Sequence, residues 1–272
     1  MRFDAYAGNV RGRSLEEVGQ VLAWALGGSL TRSRPVRRYG SVLSVEHAGR
    51  CAVWVGADTV NGCTYFEGKG ETSPDLVASI RKHFPEHTVS RADVCEDYDG
   101  EGAFESLQAI VRDNMGPRVK AGYVALPDDP EEGRTWAAGV RKGPGVYFRL
   151  YEAGKMAERR QLGRPHLVRA ELEARPHYAA DKAAAANMPP LDFWGLAGWS
   201  RRVAEALTGV EVPRYEGPTR TYTAEKTTLY LARNFRRYFE EQLADGRDWA
   251  CIGREFEEVW FADDAARKSH QR

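Results

Sequence analysis

Two segments in the second half of the chain alternate polar and apolar side chains along most of their length. They are residues 145–152, with the sequence GVYFRLYE, and residues 166–175, with the sequence HLVRAELEAR. Because side chains two residues apart lie on the same face of a β-strand, each segment predicts a strand with one polar face. The polar faces carry Tyr147, Arg149 and Tyr151 in the first segment, and Arg169, Glu171, Glu173 and Arg175 in the second. Such faces are either ordinary solvated surface or part of a functional site.

The composition is that of a folded globular protein, large enough for one large core or two smaller ones. The chain has 272 residues, of which 42% are hydrophobic and 11% aromatic. The formal net charge is zero, but residues 134–175 hold ten Lys and Arg against four Glu, whereas residues 96–132 hold ten Asp and Glu against three Lys and Arg. This pattern fits a phosphate-binding surface beside a carboxylate site, and it equally fits two solvated faces of opposite charge.

The sequence predicts a cytoplasmic protein that does not contact a membrane. Residues 1–13 are charged and lack the apolar region of a signal peptide. The longest apolar run in the segment that follows, residues 21–26, is far too short to span a bilayer. The four cysteines form no close pair and have no metal-binding spacing, which suggests reduced thiols.

The order of the predicted elements indicates an α+β fold, with a mainly antiparallel central sheet, flanking helices and a helical C-terminal part. Predicted strands cover 2–9, 41–47, 51–55, 63–66, 89–97, 118–126 and 135–138, followed by the two alternating segments. Helices are predicted after Ser14, after Thr72 and over 101–114, while the arginine-rich residues 30–40 are interpreted as a loop. This organisation predicts an α+β domain that carries the site over 1–180 and a helical C-terminal region over 181–272.

Common catalytic motifs are absent from the sequence, but three carboxylates can converge. The chain has no HExxH, P-loop, GxGxxG or nucleophile-elbow motif. If strand 89–97 and segment 166–175 are neighbours in one sheet, Asp93, Glu171 and Glu173 face the same volume. A hard divalent cation would relieve their mutual repulsion, which predicts Mg²⁺ or Mn²⁺ as the cofactor.

Tyr151 is the candidate nucleophile of such a site. A phenol with a pKa of about 10 is a weak nucleophile at neutral pH, so it needs a base or nearby positive charge. Arg149, on the same face, and the metal could supply that charge. The same residues have a simpler interpretation, in which Tyr151 packs within the sheet while Glu171 and Glu173 pair with Arg149 or Arg175 across it. Periodicity leaves both interpretations open.

Three segments resemble the motifs of one family. Residues 90–97 (SRADVCED) resemble its [ST]R-x-D strand, residues 148–155 (FRLYEAGK) are similar to its segment with the nicking tyrosine, and residues 168–173 (VRAELE) are similar to its strand with two glutamates. This is the Rep_trans (replication initiation factor) family, whose members start rolling-circle replication of plasmids and filamentous phages and whose relatives are conjugative-element relaxases. The motifs occur in the family's order, and the resemblance spans roughly residues 40–180.

The resemblance implies a site-specific, metal-dependent DNA nicking and strand-joining enzyme. Tyr151 would attack one DNA strand, remain joined to its 5′ phosphate and leave a free 3′ hydroxyl as a primer. The implied residues are Tyr151 and Arg149 for catalysis, Asp93, Glu171, Glu173 and Asp97 for Mg²⁺ or Mn²⁺, and Arg91, Lys142, Lys155 and Arg169 for DNA contact. The implied partner is single-stranded or extruded origin DNA in a bacterial cytoplasm, with a host helicase and a second copy of the chain as further candidate partners.

Two other functions would use the same residues. A non-catalytic DNA-binding regulator would bind duplex DNA with a salt-dependent affinity, although the gathered carboxylates argue against it. A metal-dependent hydrolase would keep the acids but use water, so that Tyr151 would be dispensable. Trp136, Tyr147 and Phe148 are candidates for stacking on unpaired bases, and they fit a core equally well. For Phe148, on the opposite face from Tyr151, the core is the better assignment. Tyr147 shares the face of Tyr151 and is the alternative nucleophile.

Overall fold

The computed structural model divides the chain into two compact units, Met1–Pro218 and Thr219–Arg272. The described residues are 1–36, 39–127, 129, 132–141, 145–156, 163–217, 228, 231–232 and 234–258.

Within the described residues of the first unit, ten strands form one antiparallel sheet. In chain order they are β1 (Arg2–Arg11), β2 (Ser29–Ser33), β3 (Val42–His47), β4 (Arg50–Asp58), β5 (Cys63–Lys69), β6 (Thr88–Asp99), β7 (Ala121–Ala125), β8 (Thr135–Gly139), β9 (Gly145–Tyr151) and β10 (Leu167–Arg175). Their spatial order is β2-β3-β4-β5-β1-β6-β10-β9-β8-β7, which puts β1, β6 and β10 near the centre. The predicted α+β fold with a mainly antiparallel central sheet is confirmed.

Helices pack against one face of the sheet, called the helix face below, and the opposite face is called the polar face. The helices of this unit are α1 (Leu15–Ala25), α2 (Ser73–His83), α3 (Ala103–Met115), α4 (Ala179–Ala184) and α5 (Gly198–Thr208). All except α4 contribute buried side chains to one apolar core. Large side chains from the sheet complete it, among them Tyr6, Phe66, Trp136, Phe148 and Leu150. In β9, Phe148 and Leu150 alternate with Tyr147, Arg149 and Tyr151, so the period-2 pattern decides which face each side chain takes.

The start of α1 follows from its local sequence. Ser14 has extended backbone angles, and its side chain accepts a hydrogen bond from the backbone N–H of Glu17 at 3.1 Å. This satisfies one of the N–H groups that the first turn of a helix leaves unpaired. The predicted helix start after Ser14 is therefore confirmed.

The interpretation of residues 30–40 as a loop is wrong for its first part, which belongs to β2. Leu30 is opposite Val45 of β3 and packs against the core of the helix face. Arg32 remains exposed on this outermost strand. Charged side chains are common on edge strands because they discourage pairing with further strands. The arginines that suggested a loop are therefore compatible with a strand at this position.

The first unit extends beyond the predicted domain boundary at residue 180. Phe193 and Trp194 lie in a 3₁₀ helix, Pro190–Leu196, and are fully buried in the core. The ring of Phe193 lies 5.8 Å from that of Phe3, and the ring of Trp194 lies 5.8 Å from that of Phe148. Since such rings bury a large apolar surface, the segment after residue 180 completes the core of the helix face instead of starting a separate region.

The second unit is helical in its described part. It contains α6 (Arg236–Ala244) and a helix over 249–258. The ring of Phe239 lies 5.4 Å from that of Trp249 and 6.3 Å from that of Phe256, so aromatic contacts join the two helices. The predicted helical C-terminal part is confirmed for these residues. No helix in the described parts of either unit is long and apolar enough to cross a membrane.

Candidate active site

Three neighbouring strands bring the predicted site residues together on the polar face. β10 lies between β6 and β9 in the sheet. Its Glu171 is opposite Arg149 of β9, and its Glu173 is opposite Asp93 of β6. Tyr151 lies two residues beyond Arg149, on the same face of β9. The convergence of the acids required these strands to be adjacent, and this condition is met.

The hydroxyl of Tyr151 donates a hydrogen bond to Glu171. The distance from the hydroxyl oxygen to Oε2 of Glu171 is 2.8 Å, and Oε1 of the same carboxylate accepts a hydrogen bond from Nη2 of Arg149. This Arg149 nitrogen also lies 3.6 Å from Oδ2 of Asp93. The Glu171 carboxylate is buried. A phenolic hydroxyl and a guanidinium therefore contact the same carboxylate, which could take up the phenolic proton.

Asp93 and Glu173 form a second group, centred on Arg91. Nε of Arg91 donates to Oδ1 of Asp93 at 2.7 Å, and its Nη2 contacts both Oδ2 of Asp93 and, at 3.4 Å, Oε2 of Glu173. Glu173 also accepts a hydrogen bond from Nε of Arg175 at 2.6 Å. Glu67 of β5 lies at the margin of the group, 4.0 Å from Nη1 of Arg91. Arg91, implied by the family resemblance to contact DNA, here binds carboxylates.

Asp97 and Arg169 form a third group, which is an ion-pair cluster. Arg169 is buried, and it donates to both carboxylate oxygens of Asp97, at 2.6 and 2.8 Å, and to Oδ1 of Asp4 at 2.5 Å. Arg2 donates to Oδ2 of Asp97 at 2.8 Å. The resemblance implied a metal ligand at Asp97 and a DNA contact at Arg169. The structure instead pairs the two with each other, and the buried guanidinium would have to leave both aspartates to meet a phosphate.

Burial and neighbouring charges shift the pKa of Glu171 and of Tyr151. Burial and the negative charge of Asp93, acting against the attraction of Arg149, raise the pKa of Glu171 to about 7. Burial and the adjacent Glu171 carboxylate raise the pKa of Tyr151 well above its ordinary value. Glu171 thus titrates near neutral pH, where a general base is most effective, while the phenol stays protonated until a base removes its proton.

The carboxylates have the chemistry of a site for Mg²⁺ or Mn²⁺, but guanidinium groups hold them in this structure. Hard divalent cations prefer carboxylate oxygens. Nη2 of Arg149 contacts both Asp93 and Glu171, and Nη2 of Arg91 contacts both Asp93 and Glu173, so each pair of acids already accepts a cation. As these side chains are arranged, no group of three His, Cys, Asp or Glu among the described residues could hold a metal ion. The oxygens of these carboxylates could bind such an ion if one of the two arginines moved away.

Two other predicted residues that the structure describes, Lys155 and Trp136, take no part in this network. Lys155, in the 3₁₀ helix Ala153–Lys155, pairs with Glu152 at 3.1 Å, and Lys142 lies outside the described residues. Trp136 is buried on the helix face, so of its two interpretations the core placement is confirmed and base stacking is ruled out. Its ring lies 6.3 Å from that of Phe148, whose predicted place in the core is confirmed.

Sequence reasoning missed two acids of the network, Asp4 and Glu67. Asp4 reaches Arg169 because the pairing of β1 with β6 shifts register just after Phe3, which is the irregularity of a β-bulge. A weak signal exists, since Phe3 and Tyr6 are three residues apart but both lie in the core. Glu67 could have been found from the alternation of its strand.

No family model, no curated protein and no solved structure matches the chain. The class of this protein is therefore defined by its fold and by the geometry of its site. It is an α+β protein whose antiparallel sheet carries a tyrosine, carboxylates and arginines in contact on one face.

Proposed function

We propose that the chain is a metal-dependent DNA nicking and strand-joining enzyme that initiates rolling-circle replication, like the Rep_trans initiators that it resembles. The observation that best supports this is the hydrogen bond from the Tyr151 hydroxyl to Glu171, beside Arg149. A phenol attacks a phosphodiester only if its proton is taken up and the charge that develops on phosphate is balanced. Glu171 and Arg149 are suited to these two tasks.

The reaction can be written on the chain's own residues. Glu171 accepts the phenolic proton while the Tyr151 oxygen forms a bond to the phosphorus of the scissile phosphodiester. The bond from phosphorus to the 3′ oxygen breaks, and that oxygen takes a proton from solvent to become a free 3′ hydroxyl. The 5′ phosphate stays joined to Tyr151. Attack by another 3′ hydroxyl reverses these steps and joins two strands without an external energy source.

Arg149 is the side chain of this site that an incoming substrate phosphate would contact first. Its side chain is 25% exposed, whereas the side chains of Asp93 and Glu171 are 3% and 4% exposed. A phosphate that approaches the site therefore meets the guanidinium before it meets the acids. Guanidinium groups bind phosphate oxygens with two parallel hydrogen bonds, which would orient the phosphorus towards the Tyr151 oxygen.

The divalent ion belongs to the same proposal. Asp93, Glu171 and Glu173 would hold Mg²⁺ or Mn²⁺, which would polarise a phosphate oxygen when bound. The two oxygens of Glu171 can serve different tasks, because Oε2 binds the Tyr151 hydroxyl whereas Oε1 binds the guanidinium nitrogen that also contacts Asp93. The substrate would be single-stranded or extruded origin DNA in a bacterial cytoplasm, with a host helicase and a second copy of the chain as further partners.

Formation of a covalent protein–DNA adduct tests this function. The protein is incubated with Mn²⁺ or Mg²⁺ and with single-stranded oligonucleotides tiled across the replicon that encodes it. With a label at the 3′ end, we expect a band of protein size that survives denaturant, since the labelled fragment carries the 5′ phosphate. With a label at the 5′ end, we expect a shorter fragment that a DNA polymerase can extend.

The alternative functions give other results in the same assay. A hydrolase that uses water would shorten the 5′-labelled strand without forming an adduct. A non-catalytic regulator would retard the migration of duplex DNA in a native gel. It would leave every strand uncut at all metal concentrations. Either result contradicts the proposal.

A further inference from the structure

Arg149 occupies the position between two carboxylates that a divalent ion would need. Its Nη2 binds Oε1 of Glu171 and lies 3.6 Å from Oδ2 of Asp93. Both carboxylates are buried. A divalent ion that bridged these two oxygens would occupy the place of this nitrogen, so the ion and the Arg149 guanidinium exclude each other there. Binding of one therefore requires departure of the other. Arg91 contacts Asp93 together with Glu173, and a carboxylate oxygen has two lone pairs, so Arg91 can stay when Arg149 leaves.

The hydrogen-bonding capacity of Arg149 is not fully used in its present position. Its Nε atom is buried and has no hydrogen-bond partner among the described residues. An unpaired buried N–H is unfavourable, because it loses its bond to water and gains nothing in return. A phosphate offers several oxygens in an arrangement that matches the guanidinium fork. A phosphate ligand would therefore satisfy Arg149 better than its present contacts do.

Arg91, the other arginine that bridges acids, is held more firmly. It binds both oxygens of Asp93, through Nε and Nη2, and its side chain is 16% exposed, against 25% for Arg149. Two hydrogen bonds to one carboxylate fix the position of a guanidinium better than one does. Of the two arginines, Arg149 is therefore the one that can leave.

We infer that Arg149 exchanges between the carboxylates and a DNA phosphate, and that the divalent ion binds to Asp93 and Glu171 only after this exchange. The inference rests on the proposed function for the identity of the phosphate. DNA and metal would then bind cooperatively, each raising the affinity for the other by the same factor. Without DNA the acids stay neutralised by arginine, which keeps the free protein from assembling its metal site.

Binding of Mn²⁺ to protein without DNA tests the exchange. All variants carry Tyr151→Phe so that no adduct can form, and the free ion is followed by electron paramagnetic resonance. We expect Arg149→Met to bind Mn²⁺ about 10-fold or more tightly than its parent, within the usual range of coupling between two ligands. Adding Asp93→Asn should cancel this gain. An affinity that is unchanged or lower in Arg149→Met would overturn the inference.

Arg2→Met is the matched control, because it removes a guanidinium that pairs with Asp97 and not with Asp93 or Glu171. Its Mn²⁺ affinity should equal that of the parent. If Arg149→Met does not fold, as judged by circular dichroism, the exchange is tested on the Tyr151→Phe parent alone. An oligothymidylate strand should lower its dissociation constant for Mn²⁺ by about 5-fold or more, after correction for Mn²⁺ bound by the strand alone. The absence of any such change would contradict the exchange.

The outcome is separable from that of the adduct assay. A gain of Mn²⁺ affinity in Arg149→Met supports the exchange even if no adduct is ever found. Adduct formation by the unmutated protein, combined with no gain in the variant, contradicts the exchange and leaves the nicking function intact.

Discussion

Replacement of Glu171 by glutamine is expected to slow formation of the DNA adduct by about 10²- to 10⁴-fold, which is the usual contribution of a general base. Glutamine keeps the size of the side chain and can still accept the hydrogen bond that Tyr151 donates at 2.8 Å. It cannot take up the proton that the phenol must lose. The rate is measured in single-turnover time courses with saturating oligonucleotide, stopped with denaturant, and at Mn²⁺ concentrations that saturate each variant, because Glu171 is also a proposed ligand of the ion.

Titration of the protein without metal and DNA supplies a second readout. Glu171 must be ionised to act as a base, and in this state burial raises its pKa to about 7. The infrared absorption of its protonated carboxyl group should therefore be lost as the pH increases through about 7. Glu171→Gln should lack this change, because glutamine does not titrate.

Glu152→Gln is a matched control for this variant. Glu152 follows Tyr151 in the chain and is a buried carboxylate, but it accepts a hydrogen bond from Nε of Arg134 at 2.9 Å and not from Tyr151. We expect Glu152→Gln to lower the stability of the protein while the adduct forms at a nearly unchanged rate. A Glu171→Gln variant that is as fast as Glu152→Gln would contradict the role of Glu171 as the base.

Arg169→Met is expected to lower the free energy of unfolding by about 3–5 kcal/mol, the usual cost of removing one partner from a buried ion pair. The side chain of Arg169 is only 2% exposed and holds the carboxylates of Asp97 and Asp4. Methionine fills part of the volume but leaves two negative charges without their main partner. Urea unfolding, followed by tryptophan fluorescence, measures the change.

The pKa of Asp97 gives the expected pH dependence of this cluster. Burial alone would raise that pKa, but hydrogen bonds from Arg169 and Arg2 lower it to about 2. A pKa below the unfolded value of about 4 means that the unfolded chain binds more protons in this range. The stabilisation from Asp97 is therefore complete above pH 4 and is lost as the pH falls towards 2. Arg169→Met should show a weaker loss over this interval.

A comparison with Arg2→Met distinguishes the contribution of a buried ion pair to stability from that of an exposed ion pair. The side chain of Arg2 is 43% exposed, so its pair with Asp97 should contribute about 1 kcal/mol or less. If Arg169→Met proved no more destabilising than Arg2→Met and instead weakened DNA binding, Arg169 would be the DNA contact that the family resemblance implies. The structure favours the stabilising role, because the guanidinium is enclosed by its partners.

The alternation of side chains was sufficient to predict the sheet and its two faces. Tyr151, Arg149 and Glu171 lie on the polar face and Phe148 in the core, because a period of two leaves each strand residue one choice of face. The adjacency of β6, β10 and β9 could not be derived in this way. It depends on which strands pair over long sequence distances, and alternation alone carries no information on that.

The sequence also left open whether the polar face is an ion-pair network or an active site, and the structure shows features of both. Glu171 and Glu173 pair with Arg149 and Arg175, as the simpler interpretation predicted. Glu171 also binds the hydroxyl of Tyr151, as a nucleophilic site requires. One carboxylate has two oxygens that can take different partners, so the two interpretations do not exclude each other.

A backbone irregularity and long-range packing explain the remaining differences between the predicted and the observed structure. The bulge that directs Asp4 to Arg169 depends on one irregular pair in β1, which alternation does not predict. The sequence predicts a separate helical region for the segment that holds Trp194, because residues after 175 are rich in alanine and in aromatic residues at helical spacing. Its place in the core of the first unit follows from tertiary packing that composition does not reveal.

The central claim is that Tyr151 is the nucleophile, and the best test is to identify the tyrosine that carries the DNA. Tyr147 is an internal control, since it lies on the same face of β9, is buried, and is opposite Glu173. The adduct is digested with protease and nuclease, and the peptide that bears a nucleotide is sequenced by mass spectrometry, in parallel with Tyr151→Phe and Tyr147→Phe. We expect the nucleotide on Tyr151, no adduct in Tyr151→Phe and a normal adduct in Tyr147→Phe. A nucleotide on Tyr147, or an undiminished adduct in Tyr151→Phe, would contradict the claim.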